Sequence, residues 1–177
     1  MFEFYLSLGS NLGDRLLNLR KAIKHLSLYK ENNEEIIFIE EVSSVYESSP
    51  IPSSDQPNFF NIILRIKSKI EPIDLLDIIK IIELDFGRDL SHKNQPRIID
   101  IDIIFVRYYE NHILIEPNEY GGRLEVPHPR AHQRAFVLMP LLEIDSDIIH
   151  PLIHKTIKEI FINLEKQEIL KLGSISY

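Results

Sequence analysis

Four segments with the composition of β-strands alternate with two segments of helical spacing, and this order restricts the folds open to the chain. Phe2–Leu8 and Ile36–Tyr46 are predicted to be strands, because the first alternates polar and apolar residues and the second is rich in branched residues. Between them, residues 14–28 carry apolar side chains on one helical face. We predict Asn11 as the N-cap of this helix, with Asp14 complementing the helix dipole.

The central part of the chain continues the alternation. A long Pro- and Ser-rich loop over 48–57 precedes a third predicted strand, Phe59–Ile66. A second helix is predicted from Pro72 to Gly87, and Ile98–Val106 has the length and branching of a fourth, mostly buried strand. The order predicts an α+β fold with a ferredoxin-like βαββαβ core, in which an antiparallel sheet carries the helices on one face. A hairpin near 107–115 and further helices are expected to complete it.

Composition limits the functional classes. A chain of 177 residues that is 44% hydrophobic can bury a core as one domain, which we expect to span 1–177. No cysteine is present, which favours a cytoplasmic setting, and we expect neither a signal peptide nor a membrane segment. The formal charge of -7 argues against nucleic-acid binding, because phosphate backbones require accumulated Lys and Arg.

Two acidic residues in the fourth predicted strand are candidates for metal binding. Asp100 and Asp102 are two positions apart, so both project from one face of the strand, with Ile98 and Ile104 on the same side. The other face is predicted to hold apolar side chains: Ile99, Ile101, Ile103 and Phe105. Paired carboxylates suit Mg²⁺ that also binds substrate phosphates. The alternative is two solvated acids on an open sheet face.

Three further patterns carry polar groups. Val126-Pro127-His128-Pro129-Arg130, with Arg134 after it, presents cations on a rigid loop that suits a polyphosphate, although a surface turn explains it equally well. Gly9-Ser10-Asn11-Leu12-Gly13 lacks the residues of a Walker A loop and is interpreted as a strand-to-helix turn. His150 and His154 lie four apart, but Pro151 favours a solvated helix start over a metal site.

Four motifs together resemble the 6-hydroxymethyl-7,8-dihydropterin pyrophosphokinase family. They occur in order over most of the chain: Leu8 to Gly13 (LGSNLG), Gln56 to Asn61 (QPNFFN), Pro96 to Asp102 (PRIIDID) and Val126 to Arg130 (VPHPR). The resemblance implies transfer of pyrophosphate from ATP to the hydroxymethyl group of the pterin, with AMP as the leaving group. It also implies that Asp100 and Asp102 bind two Mg²⁺ ions that bridge the ATP phosphates, and that the enzyme acts in folate synthesis. ATP and the pterin are the expected partners, and a monomer is expected.

The resemblance assigns roles to individual residues as well. Arg97, His128 and Arg134 match the ATP-phosphate positions of the family, and Arg97 and Arg88 join the two acids as catalytic residues. The pterin-binding positions are Ser48, Ile51, Phe59, Asn61 and Phe136, with the two phenylalanines sandwiching the ring. Glu83 corresponds to a nucleotide-binding position near the end of the second helix. Two loops, 47–58 and 87–96, are expected to close over the substrates, and Asn94 stands where a common family version has tryptophan.

Two other functional classes remain open on the residues alone. A ferredoxin-like binding module for a small ligand or RNA would need exposed strand aromatics and a basic face, and the acidic fourth strand disfavours it. A two-metal hydrolase would use the same pair of acids to activate water. Dependence of AMP release on the pterin distinguishes these classes from a pyrophosphokinase.

Overall fold

A computed structural model describes residues 1–52, 55–87, 95–109 and 111–177 of the chain. The strands are β1 (Phe2–Ser10), β2 (Lys30–Glu31), β3 (Glu34–Glu35), β4 (Ile37–Val42), β5 (Val45–Ser48), β6 (Phe59–Ser68), β7 (Asp100–Tyr108), β8 (Asn111–His112) and β9 (Ile169–Gly173). The α-helices are α1 (Arg15–Ser27), α2 (Pro72–Asp85), α3 (Ala135–Ile144) and α4 (Ile157–Ile162). Within these ranges, none of the helices combines the length and the apolar composition that a membrane-spanning helix requires.

The main sheet has seven strands in the order β8-β7-β1-β6-β5-β9, with β4 also paired to β6. Every strand pair is antiparallel, so the predicted mixture of helices and antiparallel sheet is confirmed. The short β2–β3 hairpin stands apart from this sheet. The predicted hairpin near 107–115 is present as the pairing of β7 with β8.

The predicted strand over 36–46 is divided into β4 and β5 at two serines. The Ser43 hydroxyl accepts a hydrogen bond from the Ile63 N–H at 2.9 Å, and Ser44 bonds through its N–H and hydroxyl to Glu143. The Ser43 N–H still donates to the Ile63 carbonyl at 2.9 Å, and these side-chain bonds add to that backbone bond where the strand is interrupted. β9 was not predicted, and it extends the sheet by pairing with β5.

Each face of the sheet carries its own core. On one face β1 contributes Phe4, Leu6 and Leu8 to a cluster with α1 and α2. On the other face Tyr5 packs in a second cluster with α3 and α4. The two helices of the predicted core, α1 and α2, therefore share one face, and the C-terminal helices α3 and α4 cover the other, because successive strand residues bury opposite sides.

A β-bulge in β7 makes one predicted core position wrong. Tyr5 pairs with Phe105 whereas Leu6 pairs with Ile103, so Ile104 is an extra residue on β7. Beyond the bulge the alternation changes phase. Phe105 consequently packs with Ile104 in the cluster under α3, and not with Ile101 and Ile103 on the opposite face.

The start of α1 differs from the prediction by three residues. Asp14, and not Asn11, is the N-cap, and its carboxylate accepts a hydrogen bond from the Leu17 N–H at 3.0 Å. A side-chain acceptor at this position satisfies one of the free N–H groups of the first turn. Asn11 is buried and has a different task in the candidate site.

The prediction of a solvated helix start at His150 is also wrong. The helix begins at Ile157 behind a capping box formed by Thr156 and Glu159, while His150 is 2% exposed. The His150 Nδ1 accepts hydrogen bonds from the N–H groups of Leu152 and Ile153, both at 3.3 Å. The ring packs edge-on against two other rings, Phe105 and His132.

The burial of His150 predicts a pH effect on stability. Burial, and after it the neighbouring His132 and His112, lowers the pKa of His150 to about 4. In the unfolded chain its pKa is about 6.5. Between these values the unfolded state binds more protons, so the stability due to neutral His150 is complete above about pH 6.5 and is lost as the pH falls toward 4.

The non-titrating variant His150→Asn isolates this effect, because its side-chain oxygen can still accept a backbone N–H. Between pH 7.0 and 4.5 we expect the wild type to lose roughly 2 to 3 kcal/mol more unfolding free energy than the variant. Urea unfolding at both pH values measures the difference. Equal losses in the two proteins would show that His150 takes up its proton equally in the folded and unfolded states.

Candidate active site

A row of residues across the sheet forms the floor of the candidate site. Asp100 of β7 lies beside Gly9 of β1, and Gly9 lies beside Asn61 of β6. In the next row Ser7 separates Asp102 from Ile63. Gly9 has an ordinary backbone conformation, but a Cβ there would come within 3.4 Å of the Asn61 Oδ1. The missing side chain therefore leaves room for a flat group on the sheet.

A cavity of about 350 Å³ lies above this floor, next to the first turn of α3. Most of the residues predicted for the site line it: Ser48, Ile51, Phe59, Asn61, Arg97, Asp100, Asp102, His128, Arg134 and Phe136. The cavity is also lined by Ser7, Gly9 and Ser49, for which no site role is predicted, and by Arg130 of the VPHPR motif. Ser7 lies in no motif, and its place in the site follows only from the pairing of β1 with β7, which is not a local feature of the sequence.

The two carboxylates face the cavity from the same side of β7, as predicted. Asp100 accepts a hydrogen bond from Arg97 at 3.0 Å, and the Asp102 Oδ2 lies 4.0 Å from the His128 Nε2. Their side chains are 23% and 36% exposed, respectively. Two partly exposed carboxylates side by side repel each other, and a cation bound between them relieves the repulsion.

The wall beside these acids is cationic and partly desolvated. Burial lowers the pKa of Arg134 from its usual value, Arg130 and Arg97 lower it further, and Asp102 and Asp100 raise it. Among the described residues, three guanidinium groups therefore line one cavity in a chain whose formal charge is -7. A guanidinium in a region of low dielectric attracts an anionic ligand strongly.

His128 is held in one tautomer by its own loop. The Arg130 N–H donates to the His128 Nδ1 at 3.2 Å, which leaves the Nε2 on the side of Asp102 to carry the ring proton. Burial, followed by Arg134 and Arg130, lowers the pKa of His128 to about 4. At neutral pH this residue is therefore an uncharged hydrogen-bond donor for an anion.

The other end of the cavity is shaped for a flat heterocycle. Phe59 and Phe136 line it from β6 and from the first turn of α3. Asn61 donates hydrogen bonds through its Nδ2 to the Ser48 hydroxyl at 2.9 Å and the Tyr46 carbonyl at 3.3 Å. These bonds hold the amide with its oxygen toward Gly9, where it can accept from a ring N–H.

Asn11 joins the two loops that flank the cavity. Its Oδ1 accepts from the Arg97 N–H at 2.7 Å, and its Nδ2 donates to the Gln56 side chain at 3.2 Å and to the Pro57 carbonyl at 3.4 Å. The side chain is 1% exposed. The Asn of the LGSNLG motif therefore joins two distant segments through hydrogen bonds. Its interpretation as a helix cap does not predict this role.

Glu83 lies outside the cavity, on the opposite side of β7. It is fully buried on α2, and its carboxylate accepts hydrogen bonds from the Ile101 N–H at 2.9 Å and from Lys80 at 2.7 Å. Ile101 lies between Asp100 and Asp102 in β7, so the bond from Glu83 holds the backbone of the strand that carries both acids. Contact of Glu83 with the nucleotide stays a prediction. Arg88 and Asn94 lie outside the described residues, as does part of each loop that was expected to close.

The two acids fit Mg²⁺ that arrives with a substrate. Within the described residues, no group of three or more His, Asp or Glu side chains can hold a metal ion. Mg²⁺ keeps several waters and typically uses one or two carboxylates together with substrate phosphates. Two neighbouring carboxylates beside a cationic wall match this donor set.

Comparison with known proteins agrees with these features. The family model for 7,8-dihydro-6-hydroxymethylpterin-pyrophosphokinase (HPPK) matches residues 5–146. The chain is 40% identical over 159 residues to the 2-amino-4-hydroxy-6-hydroxymethyldihydropteridine pyrophosphokinase of Aquifex aeolicus, and the match covers 90% of both proteins. It is 41% identical over 160 residues to the folic acid synthesis protein FOL1 of Dictyostelium discoideum, of which it covers 22%.

A solved structure shows the same fold. The wild-type HPPK-DHPS of Plasmodium falciparum, crystallised with pterin and p-hydroxybenzoate, matches with a TM-score of 0.65 at 17% identity, over 91% of this chain and 42% of that chain. The chain therefore spans less than half of some relatives but nearly all of the Aquifex protein. On the family match and these relatives, the chain belongs to the 7,8-dihydro-6-hydroxymethylpterin-pyrophosphokinase family.

Proposed function

We propose that the protein transfers a pyrophosphoryl group from ATP to the hydroxymethyl group of 6-hydroxymethyl-7,8-dihydropterin, giving the pterin diphosphate and AMP in folate synthesis. One observation supports this most strongly. A single cavity joins the slot of Phe59, Phe136 and Asn61 to the paired acids and the guanidinium wall. A hydrolase needs only the charged half of this cavity.

In this proposal the hydroxymethyl oxygen forms a bond to the β-phosphorus of ATP. The bond between that phosphorus and the oxygen bridging to the α-phosphorus breaks, AMP leaves with the bridging oxygen, and the hydroxyl proton passes to solvent. Arg97, Arg134 and the neutral His128 donate hydrogen bonds to phosphoryl oxygens as their charge changes. Asn61 and the two phenylalanines hold the pterin, so that its hydroxymethyl group points toward the acids.

Asp100 and Asp102 would hold two Mg²⁺ ions, which supply charge neutralisation of the polyphosphate when bound. Arg97 would then exchange its bond to Asp100 for a bond to phosphate, since the two groups are 3.0 Å apart without substrate. Arg88 is proposed to join these cations. We further propose that the sheet with α1 and α2 is a ferredoxin-like core and that the enzyme acts as a monomer.

AMP release from ATP and Mg²⁺, measured with and without 6-hydroxymethyl-7,8-dihydropterin, tests the proposal. AMP and pterin diphosphate in equal amounts, formed only with the pterin, are the expected result. AMP formed equally without the pterin would instead identify a hydrolase. Binding of both ligands with no AMP formed would identify a binding module.

A further inference from the structure

The C-terminal segment reaches the candidate site although it lies beyond the family match, which ends at residue 146. Gln167 accepts a hydrogen bond from the Ala135 N–H through its Oε1 at 2.9 Å. Through its Nε2 it donates to the Gln133 carbonyl at 2.8 Å. One side-chain amide thus bonds the backbone on both sides of Arg134.

These two bonds meet a local need of the chain. Ala135 is the first residue of α3, and Arg134 at the N-cap makes no side-chain capping bond. The N–H groups of a first helical turn have no intrahelical acceptor, so an acceptor must come from elsewhere. Gln167 supplies it for Ala135 from a position 32 residues away.

Gln167 is itself anchored by the sheet. β9 begins two residues later and pairs with β5, where Ile169 lies opposite Ser48 of the cavity. Lys171 in β9 bonds Glu143 of α3 at 2.7 Å. The segment is therefore tied both to β5 and to α3, and Gln167 bridges it to the start of α3.

We propose that Gln167 is a positioning residue for the transfer reaction, which acts by holding Arg134 against the phosphate chain; the inference rests on the proposed function. The amide fixes the direction in which the Arg134 side chain leaves the backbone. A guanidinium that must meet phosphoryl oxygens loses most of its effect after a displacement of about 1 Å. A residue that only capped α3 would affect stability and leave turnover unchanged.

A double-mutant cycle tests this inference. The variants are Gln167→Ala, Arg134→Ala and the double variant, with Lys166→Ala as an exposed control on the same segment. We expect Gln167→Ala to lower kcat about tenfold and Lys166→Ala to leave it unchanged. In the Arg134→Ala background the Gln167 substitution should change kcat less than about twofold, because residues that act through one another are not additive.

Two controls keep the result decisive. Gln167→Met repeats the kcat measurement with a side chain of similar volume. Hydrogen exchange at the Ala135 amide reports in each variant whether the bond from this N–H to the residue at position 167 is present. An equal loss of kcat with and without Arg134, or faster exchange with unchanged kcat, would overturn the positioning role.

If the wild type forms no pterin-dependent AMP, the proposed function fails. The same cycle is then measured as affinity for α,β-methylene-ATP, where a tenfold weakening that requires Arg134 supports the inference and its absence refutes it.

Discussion

Replacing Asp100 or Asp102 with asparagine is expected to lower kcat for pterin-dependent AMP release by about three orders of magnitude. The amide keeps the shape of the side chain but removes the charge that holds Mg²⁺ beside the phosphates. Metal-based charge stabilisation is worth several kcal/mol, and each 1.36 kcal/mol corresponds to a factor of ten in rate. Steady-state assays at saturating ATP and Mg²⁺ measure the loss.

The fold should survive these substitutions. The Arg97–Asp100 ion pair is partly exposed, with side chains 21% and 23% accessible, and such pairs contribute little to stability. Thermal unfolding of each variant checks this expectation. The matched control is Asp74→Asn, which changes an exposed acid in the first turn of α2 and should keep wild-type kcat. Retention of more than about a tenth of kcat in either cavity variant contradicts the two-metal role.

The local patterns of the sequence predict where strands and helices lie, and the structure has strands and helices at those positions. Period-2 alternation places Asp100 and Asp102 on one face correctly, because alternation is a property of a single strand. The row of Asp100, Gly9 and Asn61 depends instead on the register of three strands. No local pattern specifies that register. The resemblance to a family, and not periodicity, assigns Asp100 and Asn61 to one site, and the strand register adds Gly9.

The misplaced residues share one physical cause. Asn11 looks like a helix cap but bonds Arg97 and Gln56, and Phe105 changes face because of a bulge opposite Tyr5 and Leu6. In each case the decisive partner is far away in the sequence. Local propensity is a weak prior that tertiary contacts override. β9 escaped prediction for the same reason, since its partner β5 lies more than a hundred residues earlier.

Replacing Arg134 with alanine is expected to lower kcat about 100- to 1000-fold, the usual loss when an oriented donor to a developing negative charge is removed. The position of Arg134 gives the physical reason. Burial lowers the pKa of its guanidinium from the usual value, which marks a charge removed from water and hence a strong local field. Arg134→Lys keeps the charge but not the planar fork, and we expect a loss of about tenfold.

The matched control for Arg134 is Arg123→Ala, because the Arg123 side chain is 53% exposed and pairs with Asp77 away from the cavity. Its kcat and KM should equal those of the wild type.

The division of the Arg134 effect between kcat and KM is the informative measurement. A fall in kcat means that the guanidinium binds the transition state more tightly than bound ATP, whereas a higher KM for ATP at constant kcat means that it binds both equally. The second outcome would show that Arg134 does not stabilise the transition state selectively, and it would leave His128 and Arg97 as the described side chains that can do so.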